Sequence, residues 1–498
     1  MSQETKKSLG LLDATFLVAG SMIGSGIFIV SSEMSRDLGS AGWLLFTWIL
    51  TGFITLFGAL SYGELAAMYP TAGGQFVYIK EAFGRLPSFL YGWTVFTVIQ
   101  TGVIAAVAVA FGKFTAVFFP SLSTTLFTIP EFDITILSMK AVNVTYENAL
   151  GVGTVLLLTY LNSRGLQYGK IVLNLFTGSK LIALFLLIII GIVVGIKTGY
   201  FGANFNDAWH ATKTAKNEAG NWVTTELTGF ALLVVLSTTI INSLFSSDAW
   251  NNVTFIAGEI RNPEKNLPRS LFLGTFIVTI FYVLANVAYV ALLPLHGHPV
   301  DPAIGYTQQG VIDAGIQHAQ GDLVGTSAAY MIFGNPAKYI MAALIMISTF
   351  GCNNGVIMAG SRLFYSMAKE KLFFSQAARL NKHGVPARAM WLQSGWGCIL
   401  AFSGSYKLLI KFATFGSMVF YIVTIAGLFV LRKRLPNHPR PYKAFGYPIV
   451  PILYLIFATL ICVSLTIFTP QDTCFSILLI LLGIPVYYIF LKEKNTNA

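Results

Sequence analysis

Two polar interruptions and one lysine carry the chemistry of this sequence. Ser21-Met22-Ile23-Gly24-Ser25-Gly26 breaks the first long apolar stretch, and Ser246-Ser247-Asp248-Ala249-Trp250-Asn251-Asn252 breaks the sixth. Glycine is a poor helix former, and serine and aspartate compete for backbone hydrogen bonds. In the first break, the second half-helix is expected to start near Ile27. Its first N–H groups have no intrahelical partner and carry the positive end of the helix dipole, which suits a carboxylate. The same small residues also suit close packing of two helices, and both readings stay open at this point. In the second break, Asp248 stands out, because a carboxylate deep in hydrocarbon costs about 2.5–3.5 kcal/mol. It faces a cationic ligand side chain or it caps the second half-helix; the cap is the usual use of aspartate at a helix start and is the favoured reading. Lys180, in Thr177-Gly178-Ser179-Lys180-Leu181, sits about two turns inside an apolar helix, too deep for easy snorkelling.

The elements that position these residues are transmembrane helices. The chain has 498 residues, 55% hydrophobic and only 11% charged, with a mean hydropathy of +0.68. Apolar runs long enough to cross hydrocarbon recur from end to end, about twelve by length. They cover approximately 11–30, 43–69, 86–119, 147–161, 173–196 and 227–258, then 271–295, 339–367, 389–403, 408–431, 447–468 and 475–491. No soluble domain remains between them, so the fold class is an all-α polytopic membrane protein, with residues 1–498 as one integral domain. Breaks in membrane helices are tolerated only against protein or a wet cavity. Two of them, each opening one half of a fold, point to a ligand site at the membrane midplane.

The net charge of +11 does not mark a nucleic-acid binder, because the basic residues lie in short loops between apolar runs. Placing the N-terminus inside puts Lys80, Arg85, Arg164, Lys170, Arg261, Lys369 and Arg432 to Arg434 on the cytoplasmic side. Arg36, Lys140, Lys197, Lys213 and Lys338 fall opposite, a bias of roughly two to one that the positive-inside rule reads as cytoplasmic termini. The long outer segments, about 120–146, 199–226 and 297–336, are expected to form short helices and irregular lids. Glu64, Glu259 and Arg362 lie near cytoplasmic span ends and form either a salt-bridged gate or solvated interfacial charges. Cys352, Cys398, Cys462 and Cys474 lack metal-ligand spacing and read as packing residues. No metal, cofactor or catalytic constellation is expected, so the chain does not read as an enzyme. A channel is disfavoured by the lack of a filter-like repeat.

Several motifs, in order, resemble the amino acid–polyamine–organocation superfamily. They are Gly20-Ser21-Met22-Ile23-Gly24-Ser25-Gly26-Ile27-Phe28, Ser61-Tyr62-Gly63-Glu64-Leu65-Ala66, Gly258-Glu259-Ile260-Arg261-Asn262-Pro263 and Gly360-Ser361-Arg362-Leu363-Phe364. The closest resemblance is to the L-type amino acid transporter branch or a bacterial relative. It implies a five-plus-five inverted repeat, residues 1–197 and 227–431, with two peripheral spans over 447–491. It places carboxylate contacts on Ile23, Gly24, Ser25 and Gly26. Phe245 and Ser246 become the carbonyls for an α-ammonium, Phe245 also a candidate aromatic gate, and Trp250 and Asn251 line the side-chain pocket with Asp248. Lys180 falls where sodium-coupled relatives hold a cation, its ammonium reaching carbonyls near Ser21–Ile23 and a hydroxyl such as Ser348 or Thr349.

The implied activity is sodium-independent amino acid transport in a cell membrane by alternating access, by exchange in the leading reading. Proton-coupled symport of amino acids or polyamines and a non-transporting sensor are the alternatives. The partners expected are an amino acid and the lipid bilayer. Animal L-type members bind a heavy chain through a cysteine between spans three and four; residues 120–146 contain none, so no covalently linked heavy chain is expected. Serines and asparagines around Asp248 weigh against a purely bulky-apolar substrate.

Overall fold

The computed structural model describes residues 7–130, 132–134, 137–139, 142–301, 306–403 and 406–495. All twelve apolar runs are helical. The first is split into α1 (Leu11–Met22) and α2 (Val30–Leu38), with a 3-10 turn over Gly26–Phe28 between them. The second half-helix therefore begins at Val30, three residues later than the spacing of glycines suggests. Next come α3 (Ala41–Met68), the short α4 (Gln75–Phe83), then α5 (Arg85–Thr94) and α6 (Gln100–Thr115), joined by a π-helical turn over Val95–Ile99. Helices α7 (Tyr146–Ser163) and α8 (Leu166–Gly195) complete the first half.

After α9 (Tyr200–Phe205), the sixth run divides into α10 (Gly229–Ser246) and a single turn, α11 (Asn252–Phe255). There follow α12 (Pro263–Leu292), α13 (Gln308–Ala314), α14 (Val324–Phe333) and α15 (Ala337–Lys369). The chain ends with α16 (Ala387–Phe402), α17 (Tyr406–Arg434), α18 (Ile449–Phe468), α19 (Pro470–Leu481) and α20 (Gly483–Asn495). Among the described residues, eight helices are long and apolar enough to cross a membrane unaided. The broken first run, the short α7 and α16, and the divided last run account for the rest.

Helix α8 shows how the bundle faces lipid. Ile171, Leu175 and Ile182 are each more than 60% exposed, while Lys180 on the opposite face is 3% exposed. The apolar stripe covers what faces hydrocarbon, and the ammonium turns inward. Close approach of helices is set by small residues: a Cβ at Gly52 of α3 would lie 2.2 Å from the Thr279 methyl of α12.

The long segments differ from the expectation of helices and irregular lids. Strands β1 (Thr125–Ile129) and β4 (Val142–Thr145) pair antiparallel, as do β2 (Phe132–Ile134) and β3 (Leu137–Met139). Strands β5 (Thr212–Lys216) and β6 (Trp222–Glu226) form a second hairpin. Threonine, valine and tryptophan favour the pleated surface, and the Thr214 and Thr224 hydroxyls meet across it at 2.9 Å. The polar composition hid that propensity. Short helices do form among the described residues: α9 opens the 199–226 segment, and α13 and α14 lie within 297–336. Lys140 lies outside the described residues. Hairpin β5–β6 seats on the end of α2, where Gly39 (φ +54°) leaves space taken by Thr212.

At the opposite end of the bundle, the charges at Glu64, Glu259 and Arg362 are buried, which overturns simple interfacial solvation. Arg362 donates to both Glu259 oxygens at 3.0 and 3.3 Å, with the two side chains 3% and 4% exposed. Glu64 takes Arg432 at 2.5 and 2.8 Å, Arg440 at 3.2 Å and the Ala444 N–H at 2.7 Å. Burial without partners would be costly, and the bidentate geometry supplies them. The N-terminal segment closes over this end: Leu9 bridges Ile260 in parallel, with Ser8 and Leu9 N–H groups donating to Glu259 O at 3.0 Å.

Candidate substrate site

The first break turns its carbonyls toward neighbouring helices. Helix α1 stops at Met22, and Ile23 is extended (φ −77°, ψ 97°). Lys180 Nζ of α8 donates to Gly20 O at 2.6 Å and to Ile23 O at 2.7 Å. The Cys352 thiol of α15 reaches Ser21 O at 3.1 Å. The Tyr282 hydroxyl of α12 lies 3.1 Å from Met22 O. The Ser348 hydroxyl of α15 sits between Ile23 O at 3.0 Å and Gly24 O at 3.1 Å. Every carbonyl from Gly20 to Gly24 is thus met by a side-chain donor. Thr349, the other candidate hydroxyl, instead bonds Ile345 O and Met346 O of its own helix.

With the carbonyls engaged, the N–H groups of Gly24 and Gly26 donate to no described residue. That polarity, donors free and acceptors occupied, fits an anionic ligand group. The two glycines differ in surroundings. A Cβ at Gly24 would meet only Cys352 Sγ, at 3.8 Å, whereas one at Gly26 would lie 2.2 Å from Ser246 Oγ. Gly26 is fixed by contact between the two breaks as well as by any ligand.

In the second break, α10 ends at Ser246 and Ala249 takes a left-handed conformation (φ +65°). Phe245 O accepts the Asp248 N–H at 3.2 Å. Ser246 O lies 3.0 Å from the Tyr282 hydroxyl, so one tyrosine joins both breaks. The Phe245 side chain packs against an apolar cluster that includes Val103 and Cys352. Each of these carbonyls keeps a second lone pair for an ammonium.

Asp248 is not a helix cap. Helix α11 begins at Asn252, with Asn251 in the cap position. The Asp248 carboxylate instead accepts from the Tyr421 hydroxyl at 2.5 Å and the Ser417 hydroxyl at 2.9 Å, both on α17. Trp250 is 2% exposed and packs between Tyr62 and Tyr421, with ring centroids at 4.8 and 5.0 Å. Asn251 Nδ2 donates to Gln75 Oε1 at 2.8 Å, and Gln75 Nε2 donates in turn to Phe420 O and Thr424 Oγ1, each at 3.0 Å. Asn251 therefore ties the break to α4 and α17 while one side borders a cavity.

Two cavities of about 20 Å³ flank Asp248, and Ser417 and Tyr421 wall both. One adjoins Thr55, Ser247, Trp250 and Thr414; the other adjoins Gln75, Gln100, Asn251 and the π-helical turn at Val95 and Ile99. Each has room for about one water. The site is closed down in this conformation, and a ligand side chain must displace its walls. Functional π-turns commonly sit beside such pockets.

Tyr282, Ser417, Tyr421 and Gln75 escape sequence reasoning. Ser417 and Tyr421 carried a signal, since a spacing of four puts two polar groups on one face of an otherwise apolar helix. Tyr282 and Gln75 had none without the tertiary structure.

Sequence comparison places this chain among known proteins. Residues 9–490 match the amino acid permease family. The human large neutral amino acids transporter small subunit 2 is 31% identical over 489 residues, covering 97% of this chain and 80% of that protein. The mouse Asc-type amino acid transporter 1 is 29% identical over 497 residues, 98% and 82% of the two chains. The mouse b(0,+)-type amino acid transporter 1 is 26% identical over 495 residues, 98% and 89%. The motifs around both breaks and the length of the match lead to one assignment: the chain belongs to the amino acid permease family, on the branch of the L-type amino acid transporters.

Proposed function

We propose that this protein is a sodium-independent secondary transporter, not an enzyme, that exchanges amino acids across a cell membrane by alternating access. The observation that carries the reading is Lys180. Its ammonium occupies the carbonyl row of the first break, where a sodium-dependent protein needs a metal ion, so no external cation is required to hold α1, α8 and α15 together. The freed N–H groups of Gly24 and Gly26 then take the substrate carboxylate. The carbonyls of Phe245 and Ser246 take its ammonium, and Ile23, Ser25, Trp250 and Asn251 complete the walls. Residues 1–197 and 227–431 form the two inverted repeats, with both termini cytoplasmic and no covalent heavy chain.

Asp248 sets the side-chain preference. Its carboxylate is buried against two hydroxyls, in cavities lined by further hydroxyl and amide groups. A hydrogen-bond-donating or cationic side chain matches that surface, and a branched aliphatic one leaves it unpaired. Support also comes from the transport named for each relative.

The experiment is uptake into proteoliposomes holding the full chain, with a panel of radiolabelled amino acids, vesicles preloaded or empty, and sodium replaced by choline. Uptake into preloaded vesicles is expected to be equal in the two salts and small in empty vesicles. A sodium requirement, or accumulation in empty vesicles driven by a pH gradient, contradicts the proposal.

A further inference from the structure

A third cavity lies apart from the two breaks. It measures about 260 Å³ and opens between the ends of α2, α10, α17, α18 and α19, beneath hairpin β5–β6. Its floor is one helical turn above the second break: Asn242 lines it, and Asn242 O accepts the Ser246 hydroxyl at 3.1 Å. On α17, Lys411 and Phe415 line it, whereas Thr414 and Met418 line the cavity beside Asp248. The two cavities are thus lined by neighbouring residues of the same stretch of α17.

The charge pattern of this chamber is balanced. Glu33 and Asp37, four residues apart on one face of α2, supply two carboxylates. Lys213 of β5 and Lys411 of α17 supply two ammoniums from the other walls. Lys213 lies within electrostatic reach of Asp37, and the Thr239 hydroxyl donates to Asp37 at 2.8 Å. Glu33 and Lys411 already have polar or electrostatic contacts in the protein. A ligand exchanges with those contacts, which costs little in a wet, partly exposed cavity.

We propose that this chamber is a second, outer binding site for a zwitterionic α-amino acid. The lysines hold the carboxylate, Glu33 and Asp37 hold the ammonium, and the side chain projects toward Phe415 and the hydroxyl-lined wall. A neutral dipole suits a chamber with equal numbers of both charges. A lone cation meets two lysines and a lone anion meets two carboxylates. The chamber loads substrate one turn from the central site and reads only the backbone charges, so it does not share the side-chain preference set at Asp248. The proposal rests on the transport reading, because a waiting site has a purpose only on a path.

The test uses the full chain in nanodiscs, with its four cysteines replaced by serine and a reporter cysteine at Thr469→Cys. The rate of labelling by a methanethiosulfonate reagent is measured with L-alanine, L-alaninamide and propionate. A second reporter, Thr238→Cys, replaces the first if that chain does not fold. Saturating L-alanine is expected to slow labelling at least about fivefold by mass action, while alaninamide and propionate do not. Protection should persist in Gly24→Val, which blocks the central site, and vanish in Lys213→Gln with Lys411→Gln. Absence of protection at both reporters, its loss in Gly24→Val, or its survival without the two lysines overturns the proposal. If amino acid uptake fails but protection by L-alanine stands, the transport reading falls and the chamber remains.

Discussion

Replacing Lys180 by methionine removes an ammonium and keeps most of the side-chain volume. Two hydrogen bonds are lost, at 2.6 Å to Gly20 O and 2.7 Å to Ile23 O. Ile23 O is left to share the single Ser348 proton with Gly24 O, and Gly20 O is left without a side-chain donor. A buried unsatisfied carbonyl costs about 1–3 kcal/mol. Relief of the buried ammonium offsets part of the lost attraction, so the net penalty on the arrangement that binds substrate is about 2 kcal/mol. That corresponds to a roughly thirtyfold fall in transport rate. The assay is counterflow uptake in proteoliposomes at matched protein content, with the thermal transition recorded to show a folded chain. Lys180→Arg should not restore the rate, since a planar guanidinium cannot replace a compact ammonium between two carbonyls about one turn apart. A folded Lys180→Met protein transporting within about threefold of the wild type would refute the reasoning, because the loss of one charge-assisted contact alone exceeds that effect.

Gly24→Ala and Gly26→Ala should separate ligand from scaffold. The first has room and should raise KM about tenfold with an unchanged Tm; the second overpacks Ser246 and should lose about 1–3 kcal/mol of stability, recovered by Ser246→Gly. Asp248→Asn should selectively abolish uptake of lysine or arginine while sparing neutral amino acids in a competition panel; a uniform loss for every substrate would assign Asp248 to the scaffold through Tyr421 and Ser417. Tyr282→Phe, which deletes the hydroxyl shared by Met22 O and Ser246 O, should slow turnover about tenfold with little change in KM, as measured by initial rates.

What the sequence discloses follows from range. The breaks are legible because Gly24, Ser25, Gly26 and Asp248 oppose a helix where hydrocarbon demands one. Lys180 is legible because an ammonium inside an apolar run needs a reason. Its choice of Gly20 and Ile23 carbonyls agrees with the expectation of contacts near Ser21–Ile23. What stays hidden depends on partners far along the chain. Asp248 looks like a cap because local pattern favours one; its side-chain donors stand 169 and 173 residues away. Gly26 looks like a ligand contact alone until Ser246 is seen against it. Glu64 looks solvated until Arg432 and Arg440 cover it. The hairpins at 125–145 and 212–226 are missed for another reason, since strand propensity there is spread through polar residues and pairing, not hydropathy, defines the element.

The assignment of the first break to a carboxylate is tested most directly by competition with backbone analogues. Uptake of a radiolabelled amino acid is challenged with the unlabelled parent, its α-amide and its deaminated acid. The parent should compete fully, and both analogues should compete at least about tenfold more weakly, since each lacks one of two charge-assisted contacts worth roughly 1.5–3 kcal/mol. An amide that competes as well as the parent would contradict the carboxylate site at Gly24 and Gly26, and with it the central claim.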